Sequence, residues 1–222
     1  MRRTPFRFHV IRKRIQRLMR RYGLLRPVKR AKCRTTHSSH PFPRYPNLVD
    51  GLEIVRPEQV WVCDITYIRL GQGFVYLAIV MDVFTRAIRG WNLSRLLDAD
   101  LTLATLRRAL AVCLPEIHHS DQGVHYANHH YIAMLRQYDI QISMARQGKP
   151  EENGYAERLM RTIKEEEVDL SEYRDFEEAR QQIGRFIEDV YMTKRIHSAL
   201  GYLTPIEFEL AWRRTQLEQT TP

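Results

Sequence analysis

Asp64 stands in the middle of VWVCDITYIRL, a run whose other members are almost all apolar. An unpaired carboxylate in such a setting is costly. A salt bridge or a capping bond would satisfy it, and so would a bound cation. Asp121 closes the HHSD of HHSDQGVHYAN, residues 118–128. A turn-forming aspartate is common at the end of a strand; a ligand to a metal is the other reading. Glu157 lies in GKPEENGYAERLMRTIKEEE, with Arg161 at i+4 and Lys164 at i+7 on the same helical face. Such spacing usually marks a solvated, ion-paired face. It would also suit a metal ligand flanked by two cations that grip a phosphate backbone. Taken singly, each carboxylate has an ordinary explanation. Taken together they form an all-oxygen donor set suited to Mg²⁺. The five histidines His118, His119, His125, His129 and His130 do not make a convincing zinc site. No cysteine lies near them, and they spread over a strand, a turn and a helix.

The elements that must hold these side chains can be read from periodicity. In Val60–Leu70, Val60, Val62, Thr66, Ile68 and Leu70 share a face with Asp64. Trp61, Cys63, Ile65 and Tyr67 share the other, with Arg69 joining at the end. Both faces are apolar, as in a central strand covered on each side. GQG turns the chain into a second strand, FVYLAIVMD, and RAIRGWNLS reads as a third. Asp98 or Asp100 caps a helix carrying Leu103, Leu106, Leu110 and Cys113. A short strand leads into IHHSD, then a helix over 129–138, a strand at IQISM and a helix from about Pro150 to Val168. Asp175 with Glu178, and Thr204 with Pro205 and Glu207, start two further helices. The order β-β-β-α-β-α-β-α-α-α predicts an α/β fold of the ribonuclease-H-like kind. Its core would be a mixed five-stranded sheet with flanking helices.

Charge is divided unevenly. Residues 1–49 hold 15 Lys and Arg and no acidic residue, while the remaining 20 basic and 26 acidic side chains leave the body at −6. The arm begins with a basic helix whose stripe is Ile11, Ile15, Leu18 and Tyr22, with Gly23 as its terminator. Its Arg12, Arg14, Arg17 and Arg21 are candidate contacts to a polyanion, nucleic acid above all. A proline-containing linker follows. The predicted divisions are a basic arm 1–26, a linker 27–54, a catalytic core 55–215 and a tail 216–222. No run is long enough to span a membrane, and no secretory leader is evident. Cys33, Cys63 and Cys113 are scattered, which fits a reducing cytoplasm.

WVCDITYI, HSDQGVHYA and PEENGYAERLMRTIKEE, in that order and with 35 residues between Asp121 and Glu157, resemble the DDE motifs of retroviral-integrase-like transposases. The resemblance is nearest to the bacterial insertion-sequence-three family and covers about residues 8–212. DVFTRAIRGW and HSALGYLTPIEF resemble its supporting motifs. It implies DNA cleavage at transposon ends and strand transfer by a freed 3′-OH. Asp64, Asp121 and Glu157 would hold two Mg²⁺ ions, with Mn²⁺ as a substitute and Asp64 bridging them. Arg161, Lys164, Arg146 and Lys149 would position double-stranded DNA, and His119 would lie beside the metals and the DNA. A homo-oligomer on DNA is implied, together with an upstream-frame helix-turn-helix protein, because the arm matches only the last helix of that region. A nuclease that only hydrolyses and a non-catalytic DNA-binding remnant are the alternatives. The family often carries Asp-Asn-Ala where Glu152-Asn153-Gly154 stands, which predicts a looser start to the helix bearing Glu157.

Overall fold

The computed structural model describes residues 12–24, 41–71 and 73–220. Ile11, residues 25–40 of the arm and linker, Cys33 among them, and residues 221–222 of the tail lie outside the described residues. The arm helix and the body belong to separate compact units, divided between residues 36 and 37.

Helix α1 spans Arg12–Arg21, and its Arg14, Arg17, Arg20 and Arg21 are exposed. It ends as the glycine predicts. Gly23 takes a φ of 67°, its N–H reaches the Arg20 carbonyl, and the Leu24 N–H reaches Met19. That is the double bond of a left-handed glycine cap.

The body is built on one five-stranded sheet. Its strands are β1 (Val60–Arg69), β2 (Phe74–Asp82), β3 (Ile88–Ser94), β4 (Ile117–Ser120) and β5 (Gln141–Met144), in spatial order β3-β2-β1-β4-β5. The first three pair antiparallel, as short turns require; β4 and β5 add on in parallel, as helical crossovers require. The alternation in β1 divides the molecule's apolar interior. Val60, Val62 and Ile68 join one buried cluster, with Leu159, Met160 and Ile163 of helix α4 (Gly154–Glu166). Trp61 and Cys63 join the other, with Leu106 of α2 (Ala99–Leu110) and Tyr131 and Leu135 of α3 (His129–Gln137). Asp64 therefore points toward α4. Gly90 of β3 lets α2 approach closely: a Cβ there would stand 2.6 Å from the Thr105 carbonyl oxygen.

Two motifs outside the carboxylate set turn out to be buttresses. In DVFTRAIRGW, buried Asp82 accepts the Thr85 N–H and hydroxyl at 2.7 and 2.6 Å and the Glu58 N–H at 3.0 Å, closing the β2–β3 turn. Arg89 bridges Glu58 and Glu209, tying this turn to helix α6 (Pro205–Thr220). Phe84 packs on Phe208 and Trp212 of the same helix. In HSALGYLTPIEF, Thr204 and Glu207 exchange side-chain bonds with each other's N–H, a complete capping box. Asp175 caps helix α5 (Phe176–Arg185) through the Glu178 N–H, but Glu178 reaches back to the Arg174 N–H, one residue earlier than a standard box. Beyond Arg185 the chain continues as a π-helical turn, Phe186–Tyr191, where an unbroken α-helix was expected. Gly184 precedes it, flush against the Trp91 ring.

The linker reading needs correction. Residues 42–50 do not hang free but dock on the body. Phe42 stands edge-on to His129, Leu48 and Val49 pack against the core, and the Met144 N–H donates to the Pro46 carbonyl. Their partners lie about a hundred residues away in the chain, so nothing local announces them.

Candidate active site

Pairing between β1 and β4 runs Val60↔Ile117, Trp61↔His118 and Val62↔His119, and β4 then stops at Ser120. Two residues past the last pair, Asp64 and Asp121 occupy equivalent positions on adjacent parallel strands. Even spacing sends both toward the α4 face. β1 goes on without its neighbour, so Asp64 lines the crevice that opens where β4 ends. Such crevices beyond the carboxyl ends of parallel strands are the usual ligand sites of α/β sheets.

Asp64 is half-buried, with its Oδ1 accepting the Ile65 N–H at 2.8 Å. Desolvation first, then the charge of Asp121, and more weakly that of Glu157, push its carboxyl up to about 7. Lys164 opposes the shift. Asp121, Glu157 and the Lys164 ammonium thus stand near enough to Asp64 to act on its charge. Asp121 is fixed by the Gly123 N–H on its Oδ1 at 2.9 Å. Glu157 is exposed on the first turn of α4, whose other side is anchored by buried Ala156, Leu159 and Met160. Among the described residues, no three His, Cys, Asp or Glu side chains are gathered into a metal-ligand cluster. The all-oxygen donor set and the raised Asp64 carboxyl fit a hard divalent cation.

The histidines are engaged elsewhere. His118 is buried, its Nε2 2.9 Å from the Tyr131 hydroxyl, and burial pushes it down to about 3. His119 is fully buried, with Nδ1 2.8 Å from Ser143 Oγ and Nε2 3.1 Å from the Glu152 carbonyl oxygen. The contact with DNA expected of His119 is therefore unavailable; the residue joins β4, β5 and the approach to α4.

The cations differ in their surroundings. Arg161 is exposed, and Lys164 lies 4.7 Å from the centre of the Tyr67 ring. Lys149 pairs with Glu151 at 3.5 Å. Arg146 is held twice: its Nε donates to Glu152 at 2.6 Å and its terminal nitrogen to Asp50 at 2.9 Å. Phosphate contact by Arg146 requires exchange of those pairs. Glu152 itself is closely bonded ahead of the helix bearing Glu157. Its carboxylate accepts the Arg146 N–H and the Asn47 amide, both at 2.8 Å, as well as Arg146 Nε. These bonds hold the carboxyl below its ordinary range. Next to it, buried Asn153 donates to the Cys63 carbonyl at 3.1 Å, beside Asp64. The roles of Asn47 and Ser143 had no signal in the sequence beyond a turn-forming Asn before Asp50.

The sheet order, the crevice and its three carboxylates define the integrase-core class of ribonuclease-H-like folds. Comparison with known proteins agrees. Two family descriptions, each "Integrase core domain", match residues 55–150 and 138–205. The chain is 35% identical over 201 residues to the transposase for insertion sequence element IS904 of Lactococcus lactis, covering 89% of this chain and 79% of that one. It is 32% identical to the InsF transposase of IS3A from Escherichia coli K12, over 86% of this chain and 68% of that one. The chain belongs to the DDE transposases of the IS3 family. Among solved structures, the HTLV-2 integrase catalytic core in complex with magnesium superposes with a TM-score of 0.55 at 15% identity, covering 69% of this chain and 97% of that one. The BIV integrase core gives 0.53 at 16%, covering 72% of this chain and 99% of that one. These two likenesses speak to the fold.

Proposed function

We propose that this chain cleaves DNA at the ends of an insertion element and joins the freed 3′-OH to a target phosphodiester. Asp64, Asp121 and Glu157 would be the metal-holding and catalytic side chains. The observation that carries the reading is that Asp121 and Glu157 lie near enough to Asp64 to act on its charge, in a chain whose relatives are transposases. Two Mg²⁺ ions, with Mn²⁺ able to replace them, would supply activation of the attacking oxygen and stabilisation of the leaving one. Asp64, Asp121 and Glu157 would together hold the ions through their carboxylate oxygens. The residues do the rest. A bound cation would favour the ionised form of Asp64, whose carboxyl is otherwise raised by burial and by Asp121. Gly123 and Ile65 keep the two aspartates oriented through their N–H groups. Arg161 and Lys164 carry positive charge along α4 next to Glu157, where a phosphate backbone would be held. The exposed arginines of α1 add affinity that does not depend on sequence. The partners proposed are double-stranded DNA and further copies of the chain assembled on it, with an upstream-frame helix-turn-helix protein completing recognition of the ends. The proposed divisions remain an arm, a linker, a catalytic core and a tail, with the docked residues 42–50 moved into the core. No helix among the described residues is long and apolar enough to cross a membrane. The proposed setting is the bacterial cytoplasm.

The deciding experiment incubates the protein with labelled element-end DNA and Mg²⁺ and resolves nicked from joined products. Both products are expected. Nicks without joins favour a hydrolytic nuclease, and binding without either favours a DNA-binding remnant. Arg161→Ala and Lys164→Ala should each weaken binding and lower the slope of log K against log salt by about 1. Unchanged affinity and slope, measured by fluorescence anisotropy at several salt concentrations, would mean a merely solvated face.

A further inference from the structure

The segment just before the body's first strand is bonded to the loop that launches α4. Asn47 Nδ2 donates to Glu152 Oε2 at 2.8 Å, and its Oδ1 accepts the N–H groups of Val49 and Asp50. Asp50, fixed by that turn, takes Arg146 at 2.9 Å, and Arg146 returns to Glu152 through both its side chain and its N–H. The Leu48 N–H donates to Ser143 Oγ at 2.9 Å. That hydroxyl also meets His119, whose other nitrogen meets the Glu152 carbonyl. The ring of bonds thus closes through Glu152, five residues before Glu157. The side chain of Glu152 is only 11% exposed, and it has three donors around two oxygens.

Resting on the catalytic reading of Glu157, we propose that Glu152 and Asn47 are positioning residues: they clamp residues 46–50 to the α4 entry and so set where Glu157 stands relative to Asp64 and Asp121. α4 has no side-chain cap of its own, since Asn153 makes no capping bond and Gly154 brings no packing. Beside the packing of Ala156, Leu159 and Met160, its first turn is located by the clamp and by the Asn153 bond to Cys63. Glutamate at 152 suits the task. Its length lets one carboxylate span the Asn47 amide and the Arg146 fork together.

Asn47→Ala and Glu152→Gln in the full-length chain test this. Asn47 is on a surface turn, so its loss should leave folding intact even if Glu152→Gln proves harmful. Hydrogen exchange should quicken at residues 150–158 in both variants and stay at the parent level in β1, β2 and α2. Mn²⁺ binding, read by its paramagnetic resonance signal, should weaken about 10-fold, the usual scale for loss of a supporting hydrogen bond behind a metal ligand. The Mg²⁺ concentration for half-maximal joining should rise by a similar factor, with DNA affinity unchanged. The double variant should be no worse than the more affected single one, because both remove the same linkage. Parent-like exchange and Mn²⁺ affinity in Asn47→Ala would overturn the proposal. So would exchange that quickens across the whole sheet, which would mark a general stabilising role. A parent chain with no Mg²⁺-dependent joining would instead overturn the catalytic reading, and the exchange and Mn²⁺ results would still decide the clamp.

Discussion

Asp64→Asn, Asp121→Asn and Glu157→Gln each leave a folded protein that binds element-end DNA but yields at least about 10³-fold less nicked and joined product in Mg²⁺. Each exchange keeps the shape of the side chain and removes one negative charge from the crevice. A hard divalent ion loses most of its hold when an anionic oxygen becomes an amide, because the amide offers a weaker dipole and an N–H₂ that repels the ion. The folded state should survive because each exchange keeps the size and shape of the side chain. Asp64 is surrounded by like charges, and the Ile65 N–H can still donate to the amide oxygen that replaces Oδ1. Product gels and circular dichroism, run side by side, check both halves. Joining at near the parent rate by any one variant removes that residue from the site.

The metal-free Asp64→Asn protein should also be more heat-stable than its parent, and increasingly so as pH rises. The folded-state carboxyl of Asp64 is raised to about 7 from an ordinary 3.8. A raised group favours folding fully at pH values below its unfolded pKa. That contribution is lost as pH climbs through the folded pKa, where the buried carboxyl must ionise beside Asp121 and Glu157. The full shift corresponds to about 4 kcal/mol. Solvent reaching a half-buried side chain reduces this to about 2 kcal/mol. About two thirds of the rise from 3.8 to about 7 lies above pH 5, so melting temperatures should diverge by about 3–5 °C between pH 5 and pH 8. Comparing the two proteins at each pH cancels the opposite trend from His118 and His197, whose neutral buried rings weaken the fold in acid. A gap that stays constant between pH 5 and pH 8 would show that Asp64 carries no such strain.

Much of the layout was legible from residues 60–70 alone. Apolar character on both faces marked a covered central strand, and a lone Asp among those residues marked the site. The short β4 and the helix carrying Glu157 followed from Asp121 and from the i+4, i+7 cations. What escaped reading was everything that depends on distant pairing. Phe42, Pro46 and Asn47 look like linker because their partners, His129, Met144 and Glu152, carry no mark of the association. His119 was read toward the DNA because its motif adjoins Asp121; strand alternation alone does not reveal that Ser143 and Glu152 enclose it. The π-helical turn Phe186–Tyr191 departs from the regular helical period and so is not written in it.

The paired ends of β1 and β4 make the site sensitive to parity. One extra amino acid anywhere between Val60 and Asp64, or between Ile117 and Asp121, would swing that carboxylate to the opposite side of the sheet, among Trp61, Cys63 and Tyr131. Two extra would return it to the correct side but about 7 Å too far along. The loop between β5 and α4 obeys no such odd-and-even rule, since a helix entry adjusts continuously. Drift in length among related chains should therefore collect in the surface turns and be purged from the two strands, where a single codon gained is worse than two.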